Sequence, residues 1–404
     1  LNAKKTHTLA LPDAGKGRKL FRLGGQIMKK YSNKSLVRCC VLSVTATLLV
    51  VGILLFAFFG GVQGLSFIWK TNLVRGVIDG QYVGEVDWEA LETAVARTMV
   101  NEVGDRWSYY MTEEEYESYT NYSNNTSFGI GVTIKLDEQT EGFVIDSVTE
   151  GSPADEAGII KGQIIIAVEG QSVIGKEIAE LREIMQTYEG EFEITLLSGE
   201  EKITATVYLT NIFKDPISYE MKENNVGYIK IDNFETGASD GAQKAVEALA
   251  DQGATSLIFD VRSNPGGKLT ELIALLDYIL PEGDIFISVS KNGSEKISTS
   301  DAQCIDYPIV VLLDADSYSA AEFFAAALSE YDYATLIGEQ STGKGRSQST
   351  FVLYDGSAVH ISTKRYLTPN RVDLSVQGGL TPDIEIALDG EKDTQLEEAI
   401  KYLS

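Results

Sequence analysis

The chain has 404 residues, 44% hydrophobic and 23% charged, which is ample for two or three packed domains and argues against disorder. Two histidines and three cysteines nearly exclude a zinc site of three or four clustered ligands, and with Cys39 beside Cys40 they provide no disulfide framework. The formal charge of −25 hides two halves: residues 1–38 carry ten Lys/Arg against Asp13, while the rest holds 24 basic and 58 acidic residues, a balance that repels nucleic acid.

Residues 39–59 follow the basic tail as twenty-one positions without a charge, rich in Leu, Val and Phe. That length crosses a hydrocarbon core of about 30 Å. The basic excess before it orients the tail, residues 1–38, inside and the acidic bulk outside. The run is longer than the core of a cleaved signal peptide, and Gly60-Gly61-Val62-Gln63-Gly64 is a poor cleavage site, so an uncleaved signal anchor is expected ahead of a cleaved one. The expected location is the cell membrane, single-pass, with the bulk of the chain extracytoplasmic.

Residues 71–124 read as a helical lead-in. Residues 88–103 (WEALETAVARTMVNEV) repeat apolar positions at helical spacing, and Thr112-Glu113-Glu114-Glu115 is a capping box for a second helix with Tyr116 and Tyr119 on one face. From Phe128 the period changes to alternation. Residues 125–209 form a β-rich module of about eighty residues, a usual domain size, with an amphipathic helix at 176–188. Over residues 210–392 apolar strands alternate with helices, which implies right-handed βαβ units, and residues 393–404 close the chain as a helix.

Three segments of that last region can carry chemistry. Ser319-Ala320-Ala321-Glu322 opens a strong helix former after a strand. It is sufficiently explained as a capping box, and it also suits a nucleophilic serine at a strand-to-helix turn, where backbone N–H groups stabilise negative charge. Gly343-Lys344-Gly345 reads either as an exposed lysine in a glycine turn or as a general base for Ser319. A lysine that serves as base must fall from about 10.4 to about 7–8 by burial, at roughly 4 kcal/mol. Gln348 offers an uncharged partner to orient its amine. The stretch from Gly338 to Lys344 also satisfies the first part of a phosphate-binding loop, but Gly345 stands where Ser or Thr must hold magnesium. Asn264-Pro265-Gly266-Gly267 fits a type II turn, whose glycines let a substrate carbonyl reach backbone donors.

Taken in order, these segments resemble the carboxyl-terminal processing (tail-specific) serine peptidases. The resemblance runs from about residue 75 to 385. It includes residues 104–111 (GDRWSYYM), Phe128-Gly129-Ile130-Gly131, Gly151-Ser152-Pro153-Ala154, Asp260-Val261-Arg262, the three segments above with Gln348, and Gly379-Leu380-Thr381-Pro382-Asp383. It implies an α+β multidomain chain: an N-terminal transmembrane helix, the helical lead-in, a PDZ β-sandwich or barrel, and a crotonase/ClpP-like β/α core. It further implies Ser319 as nucleophile, Lys344 as base and Gln348 as its orienting partner. The N–H of Ala320, with that of Gly266 or Gly267, would form an oxyanion hole.

In the PDZ module a substrate C-terminus would add a strand beside residues 130–134. Its carboxylate would sit on the N–H groups of Phe128, Gly129, Ile130 and Gly131, with Leu181 and Met185 lining a side-chain pocket and Arg182 a candidate gating contact. The implied partners are proteins or peptides with a free C-terminus and the membrane through residues 39–59. No nucleic acid, metal or cofactor is expected, and a homo-oligomer is compatible with the reading. The family places small residues before its nucleophile, whereas this chain has Asp314-Ala315-Asp316-Ser317-Tyr318, so Tyr318 is expected to narrow the site and Asp316 to oppose lysine deprotonation. The alternative on the same fold is a catalytically silent PDZ adaptor.

Overall fold

The computed structural model describes residues 33–404 apart from Phe59, Asp389 and Glu391, together with two short strands, Arg22–Leu23 and Gln26–Ile27. Most of the basic tail expected at residues 1–38 lies outside the described residues. The chain divides into two units, Leu1–Asp87 and Trp88–Ser404. In the first, an uninterrupted helix spans Asn33–Phe58 and a second spans Gly61–Gln81. Within the former, Lys34–Phe58 is long and apolar enough to cross a membrane, a test that anchors and signal sequences both pass.

The second unit begins with the helix Trp88–Asn101 and, after the strand Tyr109–Met111, the helix Glu113–Ser123. Thr112 caps that helix in the expected box, accepting from Glu115 N–H while the Glu115 carboxylate accepts from Thr112 N–H. The strand corrects the all-helical reading of residues 71–124. Tyr109–Met111 pairs antiparallel with Ala358–Leu367, placing Tyr109 opposite His360.

A small antiparallel sheet follows, in the order Glu201–Tyr208, Glu191–Ser198, Ile164–Val168, Phe143–Val148, Val132–Leu136. The amphipathic helix Ile178–Gln186 packs on it through Leu181 and Met185, which join Phe143, Ile165 and Leu196 in one core. Val132–Leu136 is an edge strand. The alternation read from Phe128 to Ile134 breaks in two: Phe128 and Gly129 belong to the strand Thr126–Gly129, which lies outside this sheet and pairs instead with Thr210–Phe213.

The larger core is a six-stranded sheet in the order Ile217–Met221, Val226–Ile231, Ser256–Asp260, Ile309–Leu313, Ala334–Gly338, Ile384–Glu385, parallel except for its first pair. Ser256–Asp260 and Ile309–Leu313 are buried at every position, as strands covered on both faces must be. One cover is the helix Ala320–Glu330, whose alanines allow close approach while Phe323 and Phe324 fill the core. A second, antiparallel sheet joins Glu295–Ser300, Gly283–Ser290, Ala358–Leu367 and Arg346–Val352.

A buried ion cluster closes the fold at the C-terminal helix Thr394–Tyr402. Arg262 donates to Asp260 at 2.6 Å and to Asp393, the cap of that helix, at 2.6 Å. Burial alone would raise the Asp260 carboxyl, but Arg262, Lys230 and the Tyr228 hydroxyl outweigh it and hold Asp260 below the usual carboxylate range. Removing one partner of such a cluster leaves an uncompensated charge. Arg262→Ala is therefore expected to lower stability by about 3 kcal/mol in urea unfolding. Arg97→Ala, which breaks only the exposed pair with Glu115, should cost less than about 1 kcal/mol. Equal effects would contradict the assignment.

Candidate active site

Three neighbouring strands of the parallel sheet, Ser256–Asp260, Ile309–Leu313 and Ala334–Gly338, deliver the three expected segments from their carboxyl ends. Ligand sites of open α/β sheets form at such ends because the loops there converge. Ser319, Lys344, Gln348, Gly266, Gly267 and Ala320 all line one cavity of about 560 Å³.

Ser319 caps the helix Ala320–Glu330 with φ 59° and ψ −122°, a strained backbone for a residue with a Cβ. The strain is held by neighbours. Tyr318 N–H donates to Asn264 O at 3.1 Å, and Ser317 Oγ donates to Val261 O at 2.8 Å. Asn264 is fully buried and donates to Ile231 O at 2.7 Å.

Gly266 has φ +86°, as position i+2 of a type II turn requires, and a Cβ there would stand 2.8 Å from both Ser319 Cβ and Ala320 N. A Cβ on Gly267 would strike the Phe234 backbone at 2.3 Å. The glycines thus let two backbone segments meet beside the serine. Gly266 N–H is already committed to Asn264 Oδ1 at 2.8 Å, which removes it as an oxyanion donor and leaves Gly267 of the two alternatives.

Glu322 is the residue whose importance the sequence understated. It is fully buried, and Oε2 accepts from Ser319 N–H at 2.9 Å and from Lys344 N–H at 2.8 Å. Oε1 accepts from Gly343 N–H at 2.6 Å and from the Ser341 hydroxyl. Ser341 in turn exchanges hydrogen bonds with the Leu380 backbone, which accounts for the 379–383 motif as a brace. The capping-box spacing signalled the Ser319 contact, but no local pattern reveals the reach to residues 341–344.

Burial lowers the Lys344 amine to about 8; Glu322, Asp105 and Glu235 favour its charge and Arg106 opposes it. These carboxylates, rather than Asp316, act most strongly on it. Its Nζ rests 4.5 Å from the Trp107 ring centre and 5.4 Å from that of Tyr318. Gln348 departs from expectation: its amide donates to Ser362 Oγ at 2.9 Å and Arg346 O at 3.3 Å, and no hydrogen bond joins it to Lys344. His360 lines the same cavity, stacked 4.7 Å from Tyr109. Burial, with Lys344 nearby, pushes His360 down to about 4, and its Nδ1 is hydrogen-bonded with Thr350.

In the small module Phe128 and Gly129 lie on a strand, not in a loop. Ile130 is buried and Gly131 has φ +89°. Leu181 and Met185 face the module's own core, and Arg182 is exposed.

Residues 225–386 match peptidase family S41 and residues 144–197 match a PDZ domain. A serine peptidase core carrying a PDZ domain is the class of protein these matches define. The chain carries a peptidase S41 domain and a PDZ domain. The carboxy-terminal processing protease CtpA of Bacillus subtilis (strain 168) is 31% identical over 304 residues, covering 74% of this chain and 65% of that protein. A Staphylococcus aureus (strain COL) protein named "Probable CtpA-like serine protease" is 28% identical over 335 residues, 80% of this chain and 67% of its own length. The chain thus spans about two thirds of these relatives. A solved structure of a Bacteroides fragilis NCTC 9343 protein named "Putative S41 protease" shares the fold, with a TM-score of 0.52 at 17% identity over 80% of this chain and 92% of that one.

The buried amine has a stability consequence of fixed sign. Below about pH 8 the folded chain keeps a charge that its site disfavours, and the cost fades between pH 8 and the ordinary 10.5, where only the unfolded chain still binds the proton. Lys344→Met is expected to stabilise the chain by about 2–3 kcal/mol at pH 7, with the gain shrinking towards pH 10. Chemical denaturation across this range measures it, and no gain at pH 7 would contradict a buried ammonium.

Proposed function

We propose that this chain is a membrane-anchored, extracytoplasmic serine endopeptidase that recognises protein C-termini through its PDZ domain and cleaves through an acyl-enzyme with Ser319 and Lys344. The observation that carries the reading is the Glu322 carboxylate held between the N–H of Ser319 and the N–H of Lys344. One buried group thereby fixes both loops of a nucleophile–base pair.

In the neutral form the Lys344 amine takes the Ser319 hydroxyl proton as Oγ attacks the scissile carbonyl. The N–H groups of Gly267 and Ala320 receive the oxyanion. The Lys344 ammonium then protonates the leaving amine; the neutral Lys344 amine so restored takes a proton from water as that water attacks the acyl carbonyl, and returns it to Ser319 Oγ as the acid departs. Gln348 lines the cavity and contributes to its polar wall. The parallel sheet and its covering helices are consistent with a crotonase/ClpP-like core.

The edge strand Val132–Leu136 can accept a substrate C-terminus as an added strand, its carboxylate near residues 128–131. The apolar helix Lys34–Phe58, with eight basic residues before it and Lys34 and Arg38 in its first turns, supports an anchor with the tail inside and the peptidase outside.

Cleavage of an unfolded test protein decides the catalytic part. Ser319→Ala and Lys344→Ala should each lower turnover by at least about a thousandfold, and the double variant should be no worse, because the pair acts as a unit. Lys344→Arg should be equally inactive, since a guanidinium keeps its proton. Turnover by Lys344→Arg would remove the lysine as base.

A further inference from the structure

The 104–111 segment has no part in the chemistry above, yet it delivers a side chain to the base. Its indole, Trp107, is 4.5 Å from Lys344 Nζ, and the ring of Tyr318, on the nucleophile loop, is 5.4 Å from the same nitrogen. The two rings are neighbours, with centroids 5.4 Å apart and planes inclined by 33°. Arg106 lies 4.2 Å from the same indole.

The segment is bolted in place. Asp105 accepts from Trp107 N–H at 3.3 Å and from Ser108 Oγ at 2.6 Å. Ser108 Oγ accepts from Ser362 N–H at 3.0 Å, on the strand Ala358–Leu367 that also pairs with Tyr109–Met111 and with Arg346–Val352, the strand just after Lys344.

We propose that Trp107, together with Tyr318, is an aromatic clamp that positions the Lys344 amine and stabilises its protonated form, a role that rests on the Ser-Lys reading above. A ring face attracts an ammonium and is indifferent to a neutral amine, so the clamp favours the state reached when Lys344 takes the proton from Ser319 Oγ. Trp107 is thus a positioning residue for the base. Burial, which strips water from the ammonium, works in the opposite direction, as does the charge of Arg106; Glu322, Asp105 and Glu235 work with the rings. Burial raises the Tyr318 hydroxyl and lowers His360 to about 4, so both are neutral where the lysine titrates. A contact of ordinary strength corresponds to about half a pH unit or more on Lys344.

The test replaces tryptophan biosynthetically with analogues of increasing fluorination, which drain the ring face with little change of size. The full-length chain in detergent micelles has three tryptophans, so the same series in Trp107→Phe isolates position 107. Two readouts are taken: the ¹³Cε titration of Lys344 in the Ser319→Ala chain, assigned by its loss in Lys344→Met, and the pH profile of kcat/KM for a peptide in the active chain. The expected result is a Lys344 midpoint falling stepwise by about half a unit in total, a base limb moving to lower pH with it, and no change across the Trp107→Phe series. A constant midpoint, an equal shift in Trp107→Phe, or a moving midpoint with a fixed base limb would each overturn the proposal. Failure of the Ser-Lys reading is separately visible as turnover by Lys344→Arg, while the titration reads the clamp without any activity.

Discussion

A single buried carboxylate, Glu322, ties the loop that carries Ser319 to the loop that carries Lys344. Other bonds support the same arrangement: Tyr318 N–H donates to Asn264 O, while Thr342 donates through its N–H to Ser317 O and through its hydroxyl to Ala315 O. Ser319 sits at φ 59°, a geometry that costs about 1–3 kcal/mol unless the surroundings enforce it. The 341–344 segment lacks regular structure and would otherwise leave the N–H groups of Gly343 and Lys344 without partners. Charge-assisted hydrogen bonds from backbone N–H to a buried carboxylate are short and strong, and four donors on two oxygens satisfy it. The residue that completes the capping box in the first turn of the helix Ala320–Glu330 thus also sets the spacing of the site.

Around that tie the site is arranged in opposing pairs. Burial drives the Lys344 amine towards neutrality, while Glu322 and the faces of Trp107 and Tyr318 draw it back towards charge. The balance falls near pH 8, which suits the proposed role of Lys344 as a group that accepts a proton and returns it. Gly266 and Gly267 carry no side chain, so the turn after Ser256–Asp260 can press against Ser319, while Asn264 holds that turn with one hydrogen bond to Gly266 N–H and another to Ile231 O. The large sheet contributes the convergence: three adjacent strands end on one side.

Much of this was legible in the sequence where the signal is local. The order of glycine turn, serine at a helix start and lysine between glycines identified the segments that the fold brings to one cavity. The alternation of apolar strands and helices after residue 210 gave the parallel sheet, and the Thr112 box marked its helix. What escaped notice is long-range. Tyr109–Met111 is three residues long and pairs with a strand about 250 positions away, so no period betrays it. The reach of Glu322 to Gly343 and Lys344, the pairing of Gln348 with Ser362, and the commitment of Gly266 N–H to Asn264 are all set by tertiary packing. Phe128 and Gly129 lie on a strand rather than in a loop because Thr126–Gly129 pairs with the distant Thr210–Phe213, a pairing that no local period marks.

The most direct measurement of the central claim is the rate at which a fluorophosphonate labels Ser319, read by mass spectrometry, in the wild-type chain and in Glu322→Gln. A glutamine keeps the size of the side chain but offers one oxygen in place of two, so it cannot hold both loops as the carboxylate does. With the fold retained by thermal unfolding, the expected result is a labelling rate lower by a factor of about a hundred or more, and no recovery at higher pH. Labelling of Glu322→Gln at the wild-type rate would contradict the account, because the proposed nucleophile and base would then act together without the carboxylate between their loops.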